Sequence, residues 1–201
     1  MGFRFLHTRV MGVPVPFHRN FEELNLRFYV RRETPEGIRR GVVFIKEIVP
    51  RPAIAAVART VYNENYVALP MSHRIEAAHG AAAGRVEYGW KFAGKDNRLR
   101  CDISGEAEDA PEGSEAGFIT EHYWGYARRR DGGTTEYRVE HPKWRVRPVV
   151  SHEVTGDLAG LYGAGFGNVL ASPAASAFVA EGSSIIVRRG VSLPVQKPVR
   201  V

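Results

Sequence analysis

Apolar residues recur at every second position over most of this chain, and a period of two commits a sequence to strands. Within residues 23–31, Leu24, Leu26, Phe28 and Val30 take one face, while Asn25, Arg27, Tyr29 and Arg31 take the other. Thr34-Pro35-Glu36-Gly37 then makes a turn. Residues 41–49 form a nearly continuous apolar run, which reads as a strand buried on both faces. Lys46-Glu47 inside that run reads as a barrel-surface or strand-end pair. Farther on, Val86, Tyr88, Trp90 and Phe92 alternate with Arg85, Glu87 and Lys91, and Gly94-Lys95-Asp96-Asn97 turns the chain into a partner strand at 99–104.

Helical signals are few. Pro52 suits a first helical turn, and residues 53–62 place Ile54, Val57, Ala58 and Val61 on one stripe, so this is the main helix. Residues 105–116 are acidic and carry Pro and Gly, as a surface loop does. Short helical pieces are expected at 158–163 and 166–171, a further strand at 144–151 and a last one at 184–188. The resulting fold class is α+β, mostly β: antiparallel strands curling toward a closed or partly open barrel beside one main helix. A chain of 201 residues is long enough for one sizeable core, and 1–201 is taken as a single domain.

Composition narrows the partners. The net charge of +6 comes mostly from arginines scattered near strand ends, with no basic helix face and no nucleic-acid motif, so no nucleic-acid partner is expected. No run approaches the ~20 apolar residues of a membrane-crossing helix, and the N-terminus enters strand-like alternation directly. No membrane partner is therefore expected, and the compartment expected is the cytoplasm. The lone Cys101 excludes an intramolecular disulfide and a cysteine zinc site, and reads as a buried structural thiol. His73, His79, His122 and His141 show no short ligand spacing, so no metal and no cofactor are expected. Gly163-Ala164-Gly165-Phe166-Gly167 lacks the spacing and preceding strand of a dinucleotide fingerprint and reads as a flexible turn. A Gly-x-Ser-x-Gly elbow is absent from the sequence.

Chemistry concentrates in two sister blocks, Glu121-His122-Tyr123-Trp124-Gly125-Tyr126 and Glu140-His141-Pro142-Lys143-Trp144. Arg130-Asp131-Gly132-Gly133 between them is a hairpin signal that sets the blocks on neighbouring strands. By alternation Glu121 and Tyr123 face opposite to His122 and Trp124, and the first pair is assigned to a pocket. Glu121 and His141 are the candidate proton-handling groups. Arg27 offers a fork to a carboxylate, with Asn25, Tyr29, Tyr123 and Trp144 as further ligand contacts. The alternatives are a solvent face for Asn25, Arg27 and Tyr29, an arginine partner such as Arg138 for Glu121, and a strand-end hydrogen bond for His141. The pattern marks a site for a small organic acid or carbonyl compound rather than naming a reaction. Its competitor is a structural module that forms a homodimer through barrel edges.

The segments Phe21-Glu22-Glu23-Leu24-Asn25-Leu26-Arg27-Phe28-Tyr29-Val30-Arg31-Arg32, Gly41-Val42-Val43-Phe44, Asn65-Tyr66-Val67-Ala68-Leu69-Pro70 and the two Glu-His blocks resemble domain-of-unknown-function family 2071 over essentially the whole chain. That family is similar in fold to acetoacetate decarboxylase. The resemblance implies a closed or nearly closed antiparallel barrel with a central pocket. It also implies an N-terminal segment ahead of Gly2, which this chain apparently lacks. The decarboxylase works through a lysine Schiff base after a proline; here Leu69-Pro70-Met71-Ser72-His73 holds no lysine, so the fold is expected to carry over and the Schiff-base chemistry is not.

Overall fold

The long alternating stretch and the apolar run after it fold onto each other as one hairpin, and everything else is arranged on its two faces. The computed structural model describes residues 1–10, 12–76 and 83–193. In chain order the elements are β1 (Gly2–Phe5), β2 (Arg9–Val10), β3 (Val13–Pro14), β4 (Phe21–Thr34), β5 (Gly37–Val49), α1 (Pro52–Val57) continued by a π-helical turn (Ala58–Tyr62), β6 (Tyr66–Ala68), β7 (Met71–Glu76), β8 (Gly84–Phe92), β9 (Lys95–Ile103), β10 (Glu108–Asp109), α2 (Glu115–Thr120), β11 (Trp124–Arg128), β12 (Thr134–Glu140), β13 (Arg145–Thr155), α3 (Leu158–Tyr162), α4 (Ala164–Leu170), β14 (Phe178–Ala180), β15 (Ile186–Val187) and β16 (Val191–Leu193). With 51% strand against 16% helix, the domain is mostly β as expected.

Apart from the small β2–β3 ribbon, the strands form two curled half-barrel sheets rather than one closed barrel. The first runs β1-β4-β5-β11-β12-β15, with β6 on β5 and β16 on β12; the second runs β10-β13-β9-β8-β7, with β14 on β13. Most pairings are antiparallel, but β5 pairs in parallel with both β6 and β11. Local alternation carries no information on strand direction, which is why these two pairings are not legible in the sequence.

Register in the β4–β5 hairpin divides the charged residues cleanly. Leu24 pairs with Ile48, Leu26 with Lys46, and Arg32 with Arg39 on one face; Asn25 pairs with Glu47, Arg27 with Phe44, Tyr29 with Val42, and Arg31 with Arg40 on the other. The register shifts by one after Leu26, leaving Ile45 as a bulge. The first face packs toward the second sheet. There Leu24 and Ile48 meet Trp90 from β8 and Leu158 and Leu161 from α3, forming the main apolar core. The second face lies under α1, where Phe21, Val49 and Ala55 form a smaller core. We call this the α1 face.

Alternation also corrects the reading of Lys46-Glu47. The two do not pair at the surface; they point to opposite faces. Lys46 is half-buried toward the second sheet, donating to the Leu161 carbonyl beside the Tyr162 ring, while Glu47 is 2% exposed on the α1 face. The loop expected over 105–116 is interrupted by β10, and its end starts α2, whose Ser114 cap accepts from the Gly117 N–H at 3.1 Å. A six-residue helix has too little stripe to show in the sequence. Gly163 to Gly167 is not a free turn either: Gly163 joins α3 to α4, and the rest is helix.

Close approach fixes one glycine in the hairpin. A Cβ on Gly41 would run into the Tyr126 ring and lie 2.8 Å from the Trp124 carbonyl oxygen, at the parallel β5–β11 junction. Gly41→Ala is expected to cost about 2 kcal/mol by overpacking, read as a lower urea midpoint with an unchanged m-value. A wild-type midpoint would mean that β11 shifts freely.

Candidate functional site

Six polar side chains on the α1 face of the first sheet come together out of water. Glu23 and Asn25 are successive same-face residues of β4, Glu47 is the cross-strand partner of Asn25, and Tyr66 on β6 pairs with Glu47 from the other side. Tyr137 arrives from β12, and Glu64 from the segment between the π-helical turn and β6. The Tyr66 hydroxyl donates to Glu23 Oε2 at 2.9 Å, Asn25 Nδ2 donates to Glu23 Oε1 at 3.2 Å, and the Tyr137 hydroxyl donates to Glu64 Oε1 at 3.0 Å. Glu23, Asn25 and Glu47 are each at most 3% exposed, and Glu64 is buried.

Local backbone chemistry places Glu64. The helix that Pro52 starts widens into a π-helical turn, ends at Asn63 in the left-handed region (φ 56°), and so delivers Glu64 inward. π-turns and left-handed non-glycine residues both cost backbone energy and recur at functional sites.

Three carboxyl groups share this pocket of low dielectric, and neither arginine nor lysine forms an ion pair with them among the described residues. Burial raises Glu23 to about 7 against the hydrogen bonds from Tyr66 and Asn25. It raises Glu64 to about 7 against the bond from Tyr137. Glu47 is pushed well above the usual carboxylate range by burial and then by the neighbouring Glu23 and Glu64. Tyr66 and Tyr137 are driven up by burial and by the same carboxylates. Among the described residues Glu47 Oε2 and Asn25 Oδ1 have no hydrogen-bond partner. A protonated Glu47 thus holds an O–H available for donation at neutral pH.

The strip continues along β4. Arg27, half-buried, donates from Nη2 to the Tyr29 hydroxyl at 3.2 Å. The Tyr29 ring packs against His122 (centroids 4.5 Å apart) and Phe118 (5.3 Å), brought by α2 and the coil after it. His122 is 8% exposed, and among the described residues neither ring nitrogen has a partner in good hydrogen-bond geometry. Burial, then the fields of Arg27 and Arg40, hold its imidazole below the ordinary histidine value, opposed in part by the nearby Phe118 and Ile119 carbonyls.

The structure therefore sets Asn25, Arg27 and Tyr29 beside the buried carboxyl groups and puts the other sequence candidates elsewhere. It is His122, not Tyr123, that meets Tyr29. Tyr123 turns the other way, onto His141 (4.9 Å), which stacks on Trp144 at 4.3 Å. Glu121 is bound by Lys143 at 2.9 Å rather than by Arg138, and His141 Nδ1 lies 2.8 Å from the Pro142 carbonyl. Residues 121–123 are coil after α2, not strand, so strict alternation from Trp124 backward does not apply to them. The hairpin itself forms, β11 with β12, turning at Gly132 (φ 84°). Glu23, Glu47, Glu64, Tyr66 and Tyr137 are absent from the sequence candidates; their one legible signal is a glutamate inside the apolar run of β5.

Neither of the two clefts found among the described residues is lined by this strip. The larger cleft, about 480 Å³, opens beside Met71, Trp90 and Arg98, and a smaller one of 230 Å³ beside Arg100, Asp102 and His152; both belong to the second sheet. Leu158 and Leu161 of α3 pack against the hairpin on one face, and Ala55 of α1 packs against it on the other. Among the described residues no group of three or more His, Cys, Asp or Glu is arranged to hold a metal ion, and His79 lies outside the described residues. No described helix is long and apolar enough to cross a membrane. A family model described as an uncharacterized conserved protein matches residues 1–184. No curated protein matches the chain.

Proposed function

The chain belongs to the DUF2071 family, and from the polar strip on its first sheet we propose that it binds a small organic acid or carbonyl compound there and moves a proton on it. The observation that carries this reading is the trio Glu23, Glu47 and Glu64, buried together and, among the described residues, in no ion pair. A purely structural core pairs its charges or replaces them with apolar groups. Carboxyl groups near 7 are, by contrast, divided between acid and base at neutral pH, which is what general acid–base chemistry requires. Glu47, kept protonated, donates to a ligand carbonyl; Glu23 or Glu64 takes and returns the proton; Arg27 holds a carboxylate with its fork. The half-buried Arg27 and Tyr29 form the end of the strip nearest solvent.

Proton handling, assigned from sequence to Glu121 and His141, passes in this reading to the buried glutamates, because Glu121 is held by Lys143 and His141 by Trp144 and the Pro142 carbonyl. Schiff-base chemistry has no part in it. Lys46 lies on the opposite face of β5 from the carboxyl groups and donates to a backbone carbonyl. We propose with it that the two curled sheets are an opened version of the acetoacetate-decarboxylase-like barrel.

A thermal-shift screen with 2-keto, 3-keto and hydroxy acids tests the reading at pH 6.5. A true ligand at about 100 times its dissociation constant stabilises by roughly 2.7 kcal/mol, and both Arg27→Met and Glu23→Gln are expected to remove that shift. Borohydride in the presence of keto acids is expected to leave no adduct; an adduct on Lys46 overturns the account. The homodimer reading draws on β7, an edge strand of the second sheet with five of its six residues exposed. A strict monomer in light scattering ends it.

A further inference from the structure

Two pairs of arginines face each other across the β4–β5 hairpin at successive positions of the register. Arg32 opposes Arg39 on the face toward the second sheet, and Arg31 opposes Arg40 on the α1 face. Like charges directly opposite on a sheet repel. In the first pair the repulsion is answered from within: Glu136 of β12, 2% exposed, accepts from Arg32 Nη1 at 2.8 Å and from Arg39 Nη1 at 2.5 Å. The second pair has no such carboxylate. Among the described residues Arg31, Arg40 and the neighbouring Arg27 form no ion pair, and Glu33, next along the same face, bridges to none of them.

On the far side of the Phe118 ring from Arg40 lies His122. Its ring is held between Tyr29 and Phe118 at 4.5 and 4.6 Å, more than nine-tenths buried, and among the described residues neither nitrogen has a partner in good hydrogen-bond geometry, the Phe118 and Ile119 carbonyls being merely near. The Arg40 guanidinium reaches over the Phe118 ring at 5.9 Å. Unsatisfied buried polar atoms call for an ordered water, an ion or a ligand, and a set of unpaired guanidinium groups beside them selects an anion. Guanidinium forks match oxyanions in geometry as well as in charge.

We propose that Arg31 and Arg40, with Arg27 and the His122 imidazole, form a docking corner for a small oxyanion, a carboxylate or phosphate group carried by a ligand, which bridges them as Glu136 bridges Arg32 and Arg39. The corner lies along β4 from the buried glutamates, Tyr29 and Arg31 being one and two same-face steps beyond Arg27, each step spanning ~7 Å. It deepens the proposed function, resting on that reading only for the other end of the ligand. It narrows the ligand class to compounds with two polar ends: a dicarboxylic keto acid, or a phosphorylated carbonyl compound.

Titration calorimetry with inorganic phosphate and, separately, with succinate tests the corner, with the ring nitrogens of His122 followed by NMR. Both variants to be compared are at exposed arginines, so folding is not at stake. Arg40→Gln is expected to weaken binding roughly tenfold, the loss of one charge-assisted contact. Arg128→Gln, on the other face of the sheet, is expected to leave it unchanged. The His122 resonances are expected to move on anion addition in the wild type and to need roughly tenfold more anion in Arg40→Gln. Phosphate against succinate separates the two sources of oxyanion. Glu23→Gln distinguishes the two proposals, since it is expected to abolish the keto-acid response while leaving phosphate binding intact. Equal weakening by Arg128→Gln, a silent His122 on anion addition, or no binding of either anion at 10 mM would each overturn the corner.

Discussion

Between about pH 4.5 and pH 7 the protein is expected to lose stability as the pH rises. Glu23 and Glu64 go from the ordinary 4.5 to about 7 on folding, and Glu47 goes higher. Below 4.5 both states hold these protons and no penalty arises. As the pH rises through this window the unfolded chain releases protons that the folded chain keeps, so the folded state loses ground with each pH unit. Above about 7 Glu23 and Glu64 ionise in both states and their contribution levels off. The expected loss is about 3 kcal/mol for a single group shifted this far, and less than additive for neighbours that repel. The carboxyl groups held low by partners, Glu140 by Arg188 and Glu181 by Arg145, act in the opposite sense. Their stabilisation is present above 4.5 and is lost only as the pH falls below it; they are exposed, so it is small. Two groups oppose these three in part of the window: the Met1 amino group, lowered from 8.0 to about 5 chiefly by burial, and the buried His122, held below 6.5. Glu64→Gln keeps an acceptor for the Tyr137 hydroxyl and removes the charge. It is expected to match the wild type at pH 4.5 and to exceed it by about 3 kcal/mol at pH 8, measured as urea midpoints across that range. Parallel pH profiles for the two proteins would show that Glu64 carries no shifted proton.

How much of this arrangement is legible in the sequence depends on the kind of pattern that encodes it. Period two in β4 separates Asn25, Arg27 and Tyr29 from Leu24, Leu26 and Phe28, and the structure keeps that separation. Pro52 marks the start of α1, and Gly132-Gly133 marks the β11–β12 turn. What alternation cannot say is which face meets which neighbour. Glu64, Tyr66 and Tyr137 converge on Glu23 and Glu47 because β6 joins β5 in parallel and the sheet curls. Both are long-range facts, set by how the layers cover one another. Glu47 misleads for a related reason: a charge in an apolar run looks like a surface residue until its burial against α1 and Tyr66 is known. The Tyr123 and His122 faces are exchanged relative to expectation because α2 ends at Thr120 and releases the chain from strand geometry before Trp124.

Glu136→Ala is expected to destabilise the fold by about 3 kcal/mol, more than either Arg32→Ala or Arg39→Ala. The carboxylate is 2% exposed and accepts from both guanidinium groups. Removing it leaves Arg32 and Arg39 opposite each other with no counter-charge and withdraws the acceptor nearest the buried Tyr126 hydroxyl, which burial and Glu136 together drive up to about 12. Removing one arginine instead leaves the carboxylate bound by the other. Because the arginine side chains are 36% and 25% exposed, water recovers part of the loss, and the estimate sits at the low end for a broken buried pair. Arg39 also covers the Trp124 ring at 4.0 Å, so Arg39→Ala is expected to cost more than Arg32→Ala through lost stacking. Glu136→Gln should fall between wild type and Glu136→Ala, keeping an acceptor without the charge. The order of urea midpoints, wild type highest, then Arg32→Ala, Arg39→Ala and Glu136→Ala, is the test. Equal losses for Glu136→Ala and Arg32→Ala would mean that the arginine pair is not held apart by this carboxylate. The contrast with the uncompensated Arg31–Arg40 pair on the other face would then lose its force.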